Sequence, residues 1–423
     1  MHKYLLKLAL ALFVVVGTAA LATGPELSVR PAELSTPEAH GSDADEKARP
    51  GTFEVWLKGF RKRALEQGIT AATFNSVMTG LRYDPDVIKR DRNQAEFTKT
   101  VWDYLDTAVS DLRIANGRKA LTKWDKALSE IEMTYGVEKE VVTAIWGLES
   151  AYGTFRGAAP VINGLATLAF DARRADFFEE ELVHALRILQ NGETAPEKMR
   201  GSWAGAMGHT QFMPSSFAAH AVDFDGDGKR NIWEDDPRDA LASTAAYLKH
   251  FGWIKGQPWG VEVRLPKGFD YLQADRADMR LPSDWKSSGV SAVNGGLTDT
   301  YGNASILLPG GAEGAAFMIF SNFAVIEKYN TADAYVIGVG HLSDRIKGAP
   351  AIKKSWPRRL RALSKPERIE LQERLTAAGF DTVKIDAKMG PLTINAVRRF
   401  QKAKGLTPDG FPSLGLLERL RAL

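Results

Sequence analysis

Between residues 52 and about 189, apolar side chains recur every three or four positions, and this spacing limits the possible folds more than any other feature. Such a period gathers side chains on one face of an α-helix, whereas a strand alternates every second residue. Phe53, Trp56, Leu57 and Phe60 open the pattern behind Thr52, a residue type suited to cap a helix N-terminus. Leu121, Trp124, Leu128 and Ile131 continue it, predicting helix over 120–135. Further helices are expected over 240–251, ended by Gly252, and over 315–329 and 334–345. Residues 201–236 are glycine-rich and loop-like. Between 253 and about 303, short alternations such as Val261, Val263 and Leu265 suggest a few strands. The class read from these patterns is mainly α with a small β part.

A length of 423 residues exceeds what one core supports, roughly 250–300 residues, so at least two domains are expected. Composition marks a boundary. Residues 351–423 carry 16 Lys+Arg against 7 Asp+Glu, whereas the remainder carries 39 against 45. The run from Lys353 to Arg359 reads as a basic linker over 351–364. The tail at 365–423 contains a weak internal echo, Leu371-Gln372 leading to Gly379 and Phe400-Gln401 leading to Gly405-Leu406, which suits a small helical module.

At the other end, Lys3 and Lys7 flank the start of an apolar stretch over 8–16, and Ala20-Leu21-Ala22 offers the small-x-small pattern of signal peptidase. Residues 1–22 are therefore expected to be a signal peptide, with an uncleaved anchor as the alternative, and the site of action the periplasm. Residues 23–50, with four Pro and many acidic and small residues, read as a flexible tether. The absence of cysteine excludes a lipoprotein anchor, disulfides, thiolate chemistry and Cys-ligated metals. A basic tail often binds nucleic acid, but outside the inner membrane the abundant polyanions are cell wall and anionic lipid, so no nucleic acid is expected.

Two local patterns carry chemistry. Residues 223–234, Asp-Phe-Asp-Gly-Asp-Gly-Lys-Arg-Asn-Ile-Trp-Glu, match the twelve-residue calcium loop. Alternate oxygens on a tight loop suit a hard cation that takes six to eight of them. Asp223, Asp225 and Asp227 would ligate through carboxylates, Lys229 through its carbonyl, Asn231 directly or through water, and Glu234 in bidentate fashion. Asp235, Asp236 or Asp239 could replace Glu234, and an acidic turn without metal is the plain alternative. The expected cofactor is a structural Ca2+, with no organic cofactor. None of His2, His40, His184, His209, His220, His250 and His341 falls in an H-E-x-x-H pattern. There is no Walker loop and no G-x-S-x-G elbow; Gly310, Gly311 and Gly314 read as a turn before a helix.

The second pattern is Glu149, three residues after Trp146, four after Ile145 and seven after Val142, just before Gly153. It projects from an apolar face near a helix C-terminus. Desolvation and the negative end of the helix dipole both raise its pKa, as a general acid requires near neutrality. A Glu that curls out to solvent is the alternative.

Trp146-Gly-Leu-Glu149-Ser-Ala-Tyr-Gly153 resembles the catalytic helix of the lytic murein transglycosylase B family, glycoside hydrolase family 103. Ser202-Trp-Ala-Gly-Ala-Met207-Gly-His209-Thr-Gln211-Phe212-Met-Pro-Ser-Ser216 resembles its A-G-A-M-G-x-x-Q-F-M-P-S-S signature, and Tyr329-Asn330 to Tyr335 its Y-N-x-x-x-x-Y motif. The stretch from Pro366 to Leu420 is similar to the three-helix peptidoglycan-binding module. The resemblance implies a lysozyme-like catalytic core over 51–350. It also implies that Glu149 is the only catalytic carboxyl, cleaving the β-1,4 bond between N-acetylmuramic acid and N-acetylglucosamine to leave 1,6-anhydro ends. Ser202, Gln211, Asn330 and Tyr335 carry over as groups holding the N-acetyl sugars, and Met207, Phe212 and Tyr247 as walls of the cleft. The partner it implies is the peptidoglycan strand; cell-wall synthesis or division proteins are open as further partners, and a monomer is expected. His209 departs from the family, where an aromatic residue is common. A water-using muramidase and a non-catalytic wall-binding scaffold remain alternative readings.

Overall fold

A computed structural model describes residues 51–92, 99–171 and 174–423; the expected signal peptide and tether lie outside them. The chain opens with α1 (Phe53–Glu66), α2 (Ala71–Met78), α3 (Pro85–Arg92) and α4 (Val101–Ala108). Thr52 caps α1 by accepting from the Val55 N–H. Phe53, Trp56 and Phe60 stack in a row, and Phe170 closes edge-on against the first of them, so the apolar stripe becomes an aromatic seam. Each such ring contributes roughly 1.5–3 kcal/mol by leaving water.

The helix expected over 120–135 is broken. α5 (Asp111–Lys123) ends at Trp124, and α6 (Asp125–Tyr135) starts on its far side. Trp124 keeps the apolar period while its backbone leaves the helical region (φ −109°, ψ 18°), so periodicity did not reveal the break. α7 (Lys139–Ser150) is buried along most of its length. β1 (Ala159–Pro160) leads into α8 (Val161–Phe170), buried on nearly every side, which packs on α9 (Ala175–Gln190).

The glycine-rich region holds β2 (Arg200–Gly201), paired antiparallel with β1, and a helix the sequence did not suggest, α10 (Pro214–His220). Its start carried a signal in Pro214, since proline is favoured at a first helical position. α11 (Arg238–His250) is followed by Gly252 at φ +90°, as expected.

β3 (Gly260–Arg264), α12 (Pro282–Ser287), β4 (Ser291–Ala292), β5 (Ser305–Leu307) and β6 (Ala316–Ile319) build a separate small layer. The strands form one antiparallel sheet in the order β4-β3-β6-β5. Here the expected helix over 315–329 is corrected: its first turn is the interior strand β6, and helix begins only with α13 (Ser321–Tyr329). All four residues of β6 are buried, and a short run apolar on both faces cannot be assigned by periodicity. The glycines at 310–314 accordingly form a turn before a strand. α14 (Asp333–Lys347) returns to the main core and packs along α7 and α4.

α15 (Lys365–Ala377), α16 (Pro391–Ala403) and α17 (Leu414–Arg421) enclose a core of their own. The internal echo has a structural cause. Gln372 accepts from the Asp386 and Ala387 N–H groups and donates to the Lys388 carbonyl, and Gln401 accepts from Gly410 N–H and donates to Asp409. Each buried amide staples one turn. The basic segment ahead of this unit is packed down: Glu262 accepts from the Lys353 and Lys354 N–H groups, and Trp356 and Phe411 flank Trp102, which is 2% exposed. Asp409 also accepts from the Ala312 N–H at 2.9 Å.

Candidate active site

Glu149 occupies the last turn of α7. The chain then reverses through three consecutive residues with positive φ, Ala151 (48°), Tyr152 (59°) and Gly153 (83°). Two of them are not glycine, and such strain persists only where packing over-determines it. Here the Tyr152 hydroxyl donates to the Arg113 carbonyl at 2.8 Å, and Gly153 N–H donates to Ser150 Oγ at 3.0 Å. A side chain at Gly153 would lie 2.6 Å from the His209 ring.

The Tyr335 hydroxyl, in the first turn of α14, donates to Glu149 Oε1 at 2.6 Å. That bond favours the carboxylate, but burial outweighs it and pushes Glu149 up to about 7. No carboxylate among the described residues adds to the shift; burial and Tyr335 account for it. The side chain still keeps some contact with solvent. A carboxyl of this kind is part protonated at neutral pH and can both give and take a proton.

The other residues singled out from the sequence lie in the segment 202–213 or on elements joined to it through Tyr329 and Tyr247. Ser202 Oγ accepts from Ala206 N–H at 3.0 Å, closing a tight loop. Gln211, at φ 54°, donates its amide to the Arg156 and Gly208 carbonyls, and its Oε1 is buried without a partner. Asn330 ends α13 and accepts from Ala332 N–H, fixing the corner that presents Tyr335. Tyr329 spans the two regions by donating to the Thr210 carbonyl at 2.6 Å. Met207, Phe212 and Tyr247 are 0%, 2% and 3% exposed. They pack in the core: Phe212 stands against Tyr247 and Tyr329, and the Tyr247 hydroxyl donates to the Lys328 carbonyl.

In the acidic loop, carboxylate oxygens of Asp223, Asp225 and Asp227 lie within 4.8 Å of one another. Asp223 is braced by the Gly226 and Gly228 N–H groups at 2.8 and 2.9 Å, Asp225 by Arg238 at 3.2 Å. Three convergent exposed carboxylates are the hard-oxygen set that calcium takes, so these residues fit the ion. The far end differs from the pattern. Glu234 turns away and pairs with Lys198 at 2.7 Å, and Asn231 Oδ1 accepts from the Trp233 and Glu234 N–H groups. Asp239 instead enters the loop, where it takes the N–H groups of Phe224, Asp225 and Asn231.

Two further residues tie into the segment 202–216 and were not selected from the sequence. Arg156 donates to the Glu234 carbonyl and pairs with Asp235. Glu181, on α9, accepts from the N–H and hydroxyl of Ser215 and is pushed up to about 7 by burial. Arginine and glutamate in ordinary contexts give no local signal; only the fold brings their partners to them.

Residues 52–344 match the transglycosylase SLT domain family, and residues 364–420 match a putative peptidoglycan binding domain. Pseudomonas aeruginosa SltB3, solved in complex with NAG-anhNAM-pentapeptide, is 45% identical, with a TM-score of 0.84 over 88% of this chain and 100% of that one. The Escherichia coli lytic transglycosylase Slt35 in complex with calcium is 28% identical, with a TM-score of 0.60 over 69% of this chain and 92% of that one. The membrane-bound lytic murein transglycosylase B of Escherichia coli K12 is 33% identical over 255 residues, 57% of this chain. The match spans 66% of that relative, a little under two thirds of its length.

Proposed function

The chain belongs to the transglycosylase SLT family, and from that premise we propose that it is a lytic transglycosylase of peptidoglycan with Glu149 as its acid and base. The observation that carries this is one carboxyl that burial pushes up to about 7, on which, among the described residues, no second carboxylate acts. Two-carboxylate glycosidases need a partner about 5–9.5 Å away, to attack the sugar or to activate water. A transglycosylase needs neither.

Protonated Glu149 gives its proton to the oxygen bridging N-acetylmuramic acid and N-acetylglucosamine as the bond to C1 breaks. The muramic N-acetyl group stabilises the cationic carbon as an oxazolinium-like species. Glu149, now a carboxylate, takes the proton of the 6-hydroxyl while that oxygen closes on C1. The result is a 1,6-anhydro end, with no water consumed. Tyr335 steadies the carboxylate between the two transfers through its 2.6 Å bond. Gln211, through its unpartnered buried Oε1, together with Ser202 and Asn330, holds the N-acetyl sugars. Met207, Phe212 and Tyr247 support the groove from behind.

Asp223, Asp225 and Asp227, with the Lys229 carbonyl and Asn231, would hold calcium, whose charge would offset the repulsion among the carboxylates. Asp239 takes part by fixing the loop backbone, and the closing ligand is Glu234 or one of Asp235, Asp236 and Asp239. The unit over 365–423 holds the wall, and the protein works in the periplasm. Digestion of purified peptidoglycan tests the reading by product mass. Anhydro ends, lighter than reducing ends by one water, are expected; reducing ends would assign a muramidase, and undigested wall a scaffold.

A further inference from the structure

His209 stands where the acidic loop meets the helix that carries Glu149. The Trp146 indole N–H donates to His209 Nδ1 at 3.1 Å. An indole can only donate, so Nδ1 bears no proton and the neutral ring carries its hydrogen on Nε2. That N–H donates to the Glu234 carbonyl, the last peptide of the acidic loop, at 2.6 Å. Arg156 Nη1 donates to the same carbonyl at 2.6 Å and lies 3.2 Å from His209 Nε2; since a carbonyl only accepts, the shorter 2.6 Å contact to Glu234 keeps the hydrogen on Nε2. The main chain of His209 repeats the link: its N–H donates to the Ile232 carbonyl at 3.0 Å, and its carbonyl accepts from Ser150 Oγ at 2.5 Å. Trp146 and Ser150 flank Glu149 on α7. Two glycines permit the close packing, since a side chain at Gly153 would strike the His209 ring and one at Gly208 would strike the Ile232 carbonyl.

Resting on the calcium reading of the loop, we propose that His209 is a positioning residue that couples calcium in the loop to the placement of Glu149. The imidazole is suited to this because it accepts on one side and donates on the other. A phenyl ring would fill the space and do neither. Glutamine reproduces the donor toward Glu234, and asparagine the acceptor toward Trp146.

The test uses the full mature chain labelled with 15N-tryptophan, titrated with calcium chloride, with the indole resonance of Trp146 assigned by W146F. Calorimetry on the same samples reports binding. In the unsubstituted protein the Trp146 resonance should move with the midpoint of the binding heat. In H209Q, H209N and H209F calcium should still bind while that resonance stays in place. There kcat should fall about tenfold, KM stay within about twofold, and the calcium dependence of kcat disappear. Binding heat with an unmoved Trp146 resonance in the unsubstituted protein would overturn the coupling alone. So would variants that keep both the shift and kcat. Absence of binding heat would overturn the calcium reading of the loop and the coupling with it.

Discussion

Glu149 and Glu181 share a chemical state and differ in everything around it. Burial pushes both carboxyls up to about 7. Glu181 is 2% exposed, and Ser215 occupies both its oxygens, so it serves as a cap for the start of α10. Glu149 gives one oxygen to Tyr335, and among the described residues the other has no hydrogen-bonding partner and solvent reaches the side chain. A raised pKa therefore does not make a general acid. The proton must have somewhere to go, and only one of the two sites provides it.

The largest effect expected separates them by activity. Glu149→Gln should lower turnover of purified wall by about 10³-fold with binding retained, whereas Glu181→Gln should stay within about twofold, both read by product release. Equal losses would erase the distinction.

Stability should instead treat the two alike. An unfolded glutamate ionises near 4.5 and the folded Glu181 near 7, so between these values the folded chain keeps a proton that the unfolded chain has released. The resulting stabilisation is complete below 4.5 and is lost as pH rises through 7. A neutral glutamine never loses it. Glu181→Gln should thus gain on the unsubstituted protein between pH 5 and pH 8, by up to about 3 kcal/mol in denaturant unfolding. Glu149→Gln should move the same way, since its carboxyl is raised over the same interval.

Removing calcium with a chelator should lower Tm, withdrawing about 2.7 kcal/mol if the ion had stood at 100 times its Kd. The loss should be the same in Glu181→Gln, because no described contact joins that carboxyl to the acidic loop; an unchanged Tm would argue against the site. Tyr335→Phe should have the smallest effect, lowering kcat about tenfold. It removes a hydrogen bond that favours the carboxylate, so the alkaline limb of the pH–rate profile should move to higher pH. A limb displaced to lower pH would contradict the role assigned to Tyr335.

The same contrast shows what the sequence could reveal. Glu149 was legible because its environment is local: Val142, Ile145 and Trp146 share its helix face, and Gly153 ends the helix. The acidic loop was legible because its oxygens are neighbours in the chain. Glu181 was not, since its partner Ser215 lies 34 positions away on another helix. Nor was the link through His209, whose side chain reaches back to Trp146 and forward to Glu234. The loop's far end also depended on distant groups, because Lys198 draws Glu234 out while Asp239 is held inside. In the fold, periodicity found the helices but missed the break at Trp124, and it placed β6 in a helix because the sheet buries both faces of that strand.

The protonation of Glu149 can be observed directly. With 13C-labelled glutamate, two side-chain carboxyl resonances should titrate near pH 7, one vanishing in Glu149→Gln and the other in Glu181→Gln. A Glu149 midpoint near 7 is the expected result. A midpoint near the ordinary 4.5 would leave no protonated acid at neutral pH and would contradict the assignment of Glu149 as the proton donor.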